Sequence, residues 1–139
     1  MNSALGRRLL LFQWAAGACD TGTGILLVLS PRWTFSLMRL KVLPQPVAFA
    51  RFVGVFVLCV GLSYLWAAVG WPLRRGFRGH WQAQWSITAL VRSSVALLLA
   101  CQIAFGAIER GWFAVVLTDG ILALIQWVGL ARGWLRLAE

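Results

Sequence analysis

Four apolar stretches dominate this chain of 139 residues, at about 9–29, 47–69, 84–108 and 112–130. Each is long enough to carry a helix across a hydrocarbon core of about 30 Å, which takes roughly 20 residues. In lipid a backbone must satisfy its own N–H and C=O groups, so stretches of this kind are predicted as helices. The breakers fall outside them: Ser30-Pro31 closes the first, Pro44 and Pro46 precede the second, and Trp71-Pro72 follows it. The sequence therefore predicts an all-α fold, an integral membrane four-helix transmembrane bundle, with residues 1–139 as a single transmembrane domain.

Composition agrees. Hydrophobic residues make up 60% of the chain and charged ones 12%, where a soluble domain carries about 25% charged residues. Too little polar surface exists to cover a water-facing exterior, so the lipid bilayer is the expected partner of most of it. The net charge of +9 does not point to nucleic acid. Its basic residues gather at the ends of the apolar runs, where they meet headgroups and fix orientation.

The connections differ in character. Glu109-Arg110-Gly111 is short enough to make the third and fourth helices antiparallel neighbours. Residues 73–81 read as a compact basic loop holding Arg74, Arg75, Arg78 and the lone histidine, His80. In residues 32–43, Trp33, Leu37, Leu40 and Met38 gather on one face, with Arg32, Ser36 and Arg39 turned away, which predicts a short interfacial helix between helices one and two. Lys/Arg bias sets the orientation. Arg7, Arg8, Arg74, Arg75, Arg78, Arg132 and Arg136 lie on one side, against Arg32, Arg39, Lys41 and Arg110 on the other, so both termini are expected in the cytoplasm, with a bacterial inner membrane as the expected location. Tryptophan is biased the same way: Trp14, Trp66, Trp71, Trp81, Trp85, Trp127 and Trp134 lie towards the first side, Trp33 and Trp112 towards the second.

Arg7-Arg8, an apolar run and Ala16-Gly17-Ala18-Cys19 imitate a lipoprotein signal, but the run continues well past Cys19, which predicts a retained helix. Cys19, Cys59 and Cys101 form no C-x-x-C pair and read as small packing residues.

Ionisable residues within the spans are costly, at about 2.5–3.5 kcal/mol each at a helix centre on insertion scales, unless paired or hydrated. There are four: Asp20, Arg51, Arg92 and Asp119, one on each helix. Depth, at about 1.5 Å per residue, places Arg92 and Asp20 roughly 12 and 16 Å from the cytoplasmic edge, and Asp119 and Arg51 roughly 19 and 24 Å. Asp20 with Arg92 and Asp119 with Arg51 are the expected pairs; depth also permits the swap, or Arg51 reaching the outer interface alone. Gln13 and Gln126 lie two turns nearer the cytoplasm than Asp20 and Asp119, so the two acid helices present matching polar stripes. Such a set specifies which helix packs on which, forms a polar site for a headgroup, a quinone or an ion, or relays a proton through the aspartates. No metal-ligand spacing, phosphate loop or nucleophile–base pair is visible, and one histidine cannot supply bis-histidine haem ligation. The chain is not expected to be an enzyme; the expected cofactors are none within the chain, with a lipid or quinone at the bundle surface.

The layout resembles the DoxX-like group of small four-helix bacterial membrane proteins. The residues carrying the resemblance are Leu29-Ser30-Pro31, then Pro44 and Pro46, then Arg51-Phe52-Val53-Gly54, with Gly61 and Tyr64 further along. That group includes subunits of membrane oxidoreductase assemblies such as thiosulfate:quinone oxidoreductase. The resemblance implies an accessory or quinone-proximal subunit of a larger membrane complex, a respiratory or other redox assembly. A lipid-, quinone- or small-molecule-binding protein using the Asp/Arg site, and a transporter or channel subunit, are the alternatives.

Overall fold

A computed structural model of the protein describes residues 4–73 and 78–137, and the side chains within 4–70 and 80–136. All elements among the described residues are helical: α1 (Ala4–Leu29), α2 (Pro31–Leu37), α3 (Ala48–Leu73), α4 (Arg78–Ala104), a 3-10 turn at Arg110–Trp112, α5 (Phe113–Ala131) and α6 (Trp134–Leu137). Three helical stretches are long and apolar enough to cross a membrane: Ala48–Gly70, His80–Ala104 and Arg110–Ala131. The chain is thus a helical, membrane-type protein. The helix α1 is as long as α3, but carries Arg7, Arg8, Gln13, Asp20, Thr21 and Thr23, and it is not among those three.

The long helices pack as two antiparallel pairs, α1 on α3 and α4 on α5, which meet one another at far fewer backbone positions. The first pair is built on glycine. A Cβ added to Gly24 would lie 2.5 Å from the backbone nitrogen of Leu58, and one added to Gly61 would overlap the backbone of Thr21. Gly54 against Leu27 continues the same seam. Backbones this close gain van der Waals contact that larger residues would prevent, a usual device where lipid removes the hydrophobic drive for helix association. In α4 the fully or nearly buried residues are Trp81, Trp85, Thr88, Ala89, Arg92 and Ala96, a stripe at helical spacing facing the first pair.

Apolar clusters close both ends. Leu9, Ala67, Trp81, Trp85 and Leu135 form one, and Leu27, Phe35, Leu40 and Ala50 the other. Between them lies a polar layer.

Several sequence expectations shift. The segment 32–43 is helical only to Leu37. Arg39 has φ 57°, and the N–H of Leu40 bonds the carbonyl of Phe35 at 2.9 Å, the closure that ends a helix with a left-handed residue. Beyond it the Glu109 carboxylate accepts the N–H groups of Lys41 (3.0 Å) and Val42 (2.7 Å). These two bonds hold its carboxyl below the usual carboxylate range. The helix α4 begins at Arg78 rather than near residue 84 and ends at Ala104 rather than 108, where Gly106 takes φ 69° and its N–H bonds the Ile103 carbonyl. Arg74 and Arg75 of the basic loop, and the side chains of Trp71 and Arg78, lie outside the described residues. Of the tryptophans on the first side, Trp81 and Trp85 are core residues with no exposed surface, whereas Trp14 and Trp66 are exposed. All three cysteines face outward rather than into the packing.

Gly61→Ala is expected to destabilise the protein by about 1–3 kcal/mol through overpacking of the α1–α3 seam. Gly22→Ala, where nothing lies within 4 Å of the added carbon, is expected to be neutral or slightly stabilising. Unfolding titrations in SDS–detergent mixtures check both.

Candidate functional site

The polar layer is organised by one side chain. Arg92, on α4, is 4% exposed, and its guanidinium divides its edges among the other three long helices. Nη2 donates to Asp20 Oδ2 on α1, and Nη1 donates to Asp119 Oδ1 on α5. Nε donates to the hydroxyl of Tyr64 on α3 at 3.3 Å. The guanidinium carbon also sits 5.5 Å from the centroid of the Tyr64 ring, within range of a cation–π interaction. Arginine suits the position because its planar fork presents donors in several fixed directions, which a lysine ammonium cannot reproduce.

This arrangement differs from the expected two pairs. Asp20 does meet Arg92, but Asp119 meets the same arginine and not Arg51. Arg51 is exposed and lines a groove with Leu29, Ser30, Pro31, Arg32 and Val47. The reason is position. Arg51 lies in the first turn of α3, level with the end of α1, whereas Tyr64 stands at the depth of Asp20. A set expected to balance two acids with two bases is therefore an arginine between two carboxylates. Two acids on one guanidinium carry one negative charge more than they neutralise when both are ionised.

The glutamines continue the layer by two turns. Gln13 donates from Nε2 to Gln84 Oε1 at 3.1 Å and accepts from Trp85 Nε1 at 2.9 Å. Gln126 donates to Thr88 Oγ1 at 2.8 Å, and Thr88 in turn donates to the Gln84 carbonyl at 2.8 Å. The matching stripes of α1 and α5 thus converge on α4, each through its aspartate and its glutamine. Trp81 adds a tie to α3, donating to the Ala67 carbonyl at 3.0 Å. Two amide atoms of this layer, Gln84 Nε2 and Gln126 Oε1, are buried without a protein partner.

Tyr64, Gln84, Trp85 and Thr88 complete the site beyond the residues singled out from the sequence. The signal for three of them was present: Gln84, Trp85 and Thr88 recur at helical spacing before Arg92. Tyr64 is the chain's single tyrosine, and nothing in its local sequence indicates that it stands opposite Arg92. Among the described residues no group of three or more His, Cys, Asp or Glu side chains lies together in a form that holds a metal ion. His80 is exposed.

Chemically, the site is a helix junction. Most of its donors and acceptors point at one another across helices, and leaving the buried guanidinium with no carboxylate costs about 3–5 kcal/mol. Comparison with protein-family models, with curated proteins and with solved structures finds no match to this chain.

The charge count makes a specific prediction. Asp20→Asn or Asp119→Asn alone leaves one carboxylate for one guanidinium, and each is expected to cost only about 0.6–2 kcal/mol, the range of an interhelical hydrogen bond. The double substitution strands Arg92 as an unpaired cation and is expected to cost about 3–5 kcal/mol, well above the sum of the singles. Unfolding of the four proteins of this cycle in one detergent checks it; additive effects would contradict the shared arginine.

Proposed function

We propose that this chain is a small accessory subunit of a larger membrane complex, acting as a helical scaffold rather than as a catalyst. The observation that carries this reading is the closure of Arg92: its Nε, Nη1 and Nη2 are each engaged by a different helix. A polar cluster consumed in holding helices together gives the bundle a defined shape, and leaves its outer surface as the part that meets other molecules. That surface carries large apolar side chains, among them Trp66, 77% exposed, and Phe105, 87% exposed. The alternative of a ligand held at the buried Asp/Arg cluster is less well supported, because a ligand there would have to displace Asp20, Asp119 or Tyr64 from the guanidinium.

In this reading α1 crosses the membrane with α3, α4 and α5, since its buried Gln13 and Asp20 find their partners within the bundle and it packs along α3. The short helix α2 lies in the interface, both termini are cytoplasmic, and the membrane is a bacterial inner membrane. The resemblance to DoxX-like proteins belongs to the same proposal, with a respiratory or other redox assembly as the kind of complex served.

Two measurements test it. Fluorescent-protein fusions at either terminus should both be bright from the cytoplasmic side, as an even number of spans requires; opposite locations would mean that α1 does not cross. Extracted from its own membranes in mild detergent, the chain is expected to migrate on native gels in a complex with other membrane proteins at fixed stoichiometry. Migration as a monodisperse single chain would overturn the accessory role.

A further inference from the structure

The excess positive charge at the α2 end of the bundle has no partner within the described residues. Where α1 ends at Leu29 and α3 begins at Ala48, a groove of about 360 Å³ opens between them, lined by Leu29, Ser30, Pro31, Arg32, Val47 and Arg51. Arg32 projects from α2 and Arg51 from the first turn of α3, and both are exposed. The chain has four acidic residues, and the three that are described are all engaged. Asp20 and Asp119 hold Arg92, and Glu109 holds the Lys41 and Val42 amides. No described carboxylate is therefore left to neutralise the two guanidiniums. The positive end of the α3 dipole faces the same way.

We propose that this groove binds the phosphodiester headgroup of an anionic phospholipid, with Arg32 and Arg51 as the phosphate ligands. Guanidinium groups bind phosphate through charge-assisted, often bidentate hydrogen bonds, and two of them on separate elements converge on one crevice here. The walls distinguish a lipid from a free anion. Leu29 is 74% exposed, and Val55, one turn along α3 on the face of Arg51, is 47% exposed. They offer an acyl chain an apolar surface beside the two guanidiniums, and an inorganic anion would gain nothing from it. The proposal rests on the membrane reading above, which puts this end of α3 at the outer bilayer interface, within reach of lipid headgroups.

The test uses the full chain in detergent, mixed with equal amounts of phosphatidylglycerol and phosphatidylcholine and read by native mass spectrometry. The wild type is expected to retain phosphatidylglycerol in preference. The Arg32→Gln/Arg51→Gln double variant is expected to lose that preference by about tenfold or more, with unchanged circular dichroism. Arg110→Gln, an exposed arginine outside the groove, is expected to keep it. Equal retention by the folded double variant would overturn the proposal. So would displacement of the lipid by inorganic phosphate at comparable concentration, which would make this a free-anion site. Carbonate extraction of membranes expressing the wild type separates the two readings. A chain that resists extraction but shows no lipid preference overturns the groove alone. A chain that is released yet still prefers phosphatidylglycerol overturns the membrane reading alone.

Discussion

A guanidinium buried among helices is stable only if its charge and donors are met at once, and the geometry of Arg92 meets both demands by drawing on every long helix. Asp20 and Asp119 supply charge from opposite sides, and Tyr64 supplies a hydroxyl and a ring face. The cost of an unpaired arginine in a low-dielectric interior makes any arrangement that loses one of these partners unfavourable. Much of the bundle's register follows from that single requirement. Once Arg92 is placed, the depths of Asp20 on α1 and Asp119 on α5 are set, and with them the levels at which Gln13 and Gln126 reach α4.

Two kinds of packing are combined around this centre. Within the α1–α3 pair the helices touch nearly backbone to backbone along Gly24, Gly54 and Gly61, a contact that is close but carries little chemical identity of its own. Between the pairs the contacts are made by large and polar side chains: Trp81 on the Ala67 carbonyl, Trp85 on Gln13, Arg92 on Asp20 and Tyr64. Phe12 adds a ring contact with Trp85 at 5.3 Å between centroids, and within the first pair it meets Tyr64 at 6.4 Å. Glycine packing supplies proximity, while directional hydrogen bonds supply discrimination between partners. At the far end the Glu109 carboxylate and the Phe35–Trp112 edge contact at 5.8 Å fasten the α2 segment to the turn before α5.

The helices were legible in the sequence because long apolar runs admit few alternatives, although α3 continues through Pro72 to Leu73, and Asp20, Arg92 and Asp119 because ionisable residues inside such runs stand out. Gln13 and Gln126 were legible through their spacing from the aspartates. Pairing was less so. Depth along a helix ranks candidates but gives no rotation, so Arg51 was assigned to Asp119 although it lies on the exposed side of α3. Tyr64 had no local signal, since its role depends on which face of α3 meets α4. Trp81 and Trp85 resemble interfacial tryptophans by position, and only packing shows that they fill the core. The early end of α2 at Leu37 depends on Arg39 adopting a left-handed conformation and on Glu109 being available to the amides beyond it, a contact across 68 residues that no local pattern encodes.

If Arg92 is what joins the two helix pairs, its loss should separate them while leaving each pair intact. The exposed Cys19, Cys59 and Cys101, on α1, α3 and α4, allow this to be measured with spin labels, two cysteines at a time and the third replaced by serine. In Arg92→Met the electron–electron distance distribution between Cys19 and Cys101 is expected to broaden and shift outward, while that between Cys19 and Cys59 remains as in the wild type. Two unchanged distributions, or equal broadening of both, would contradict the account.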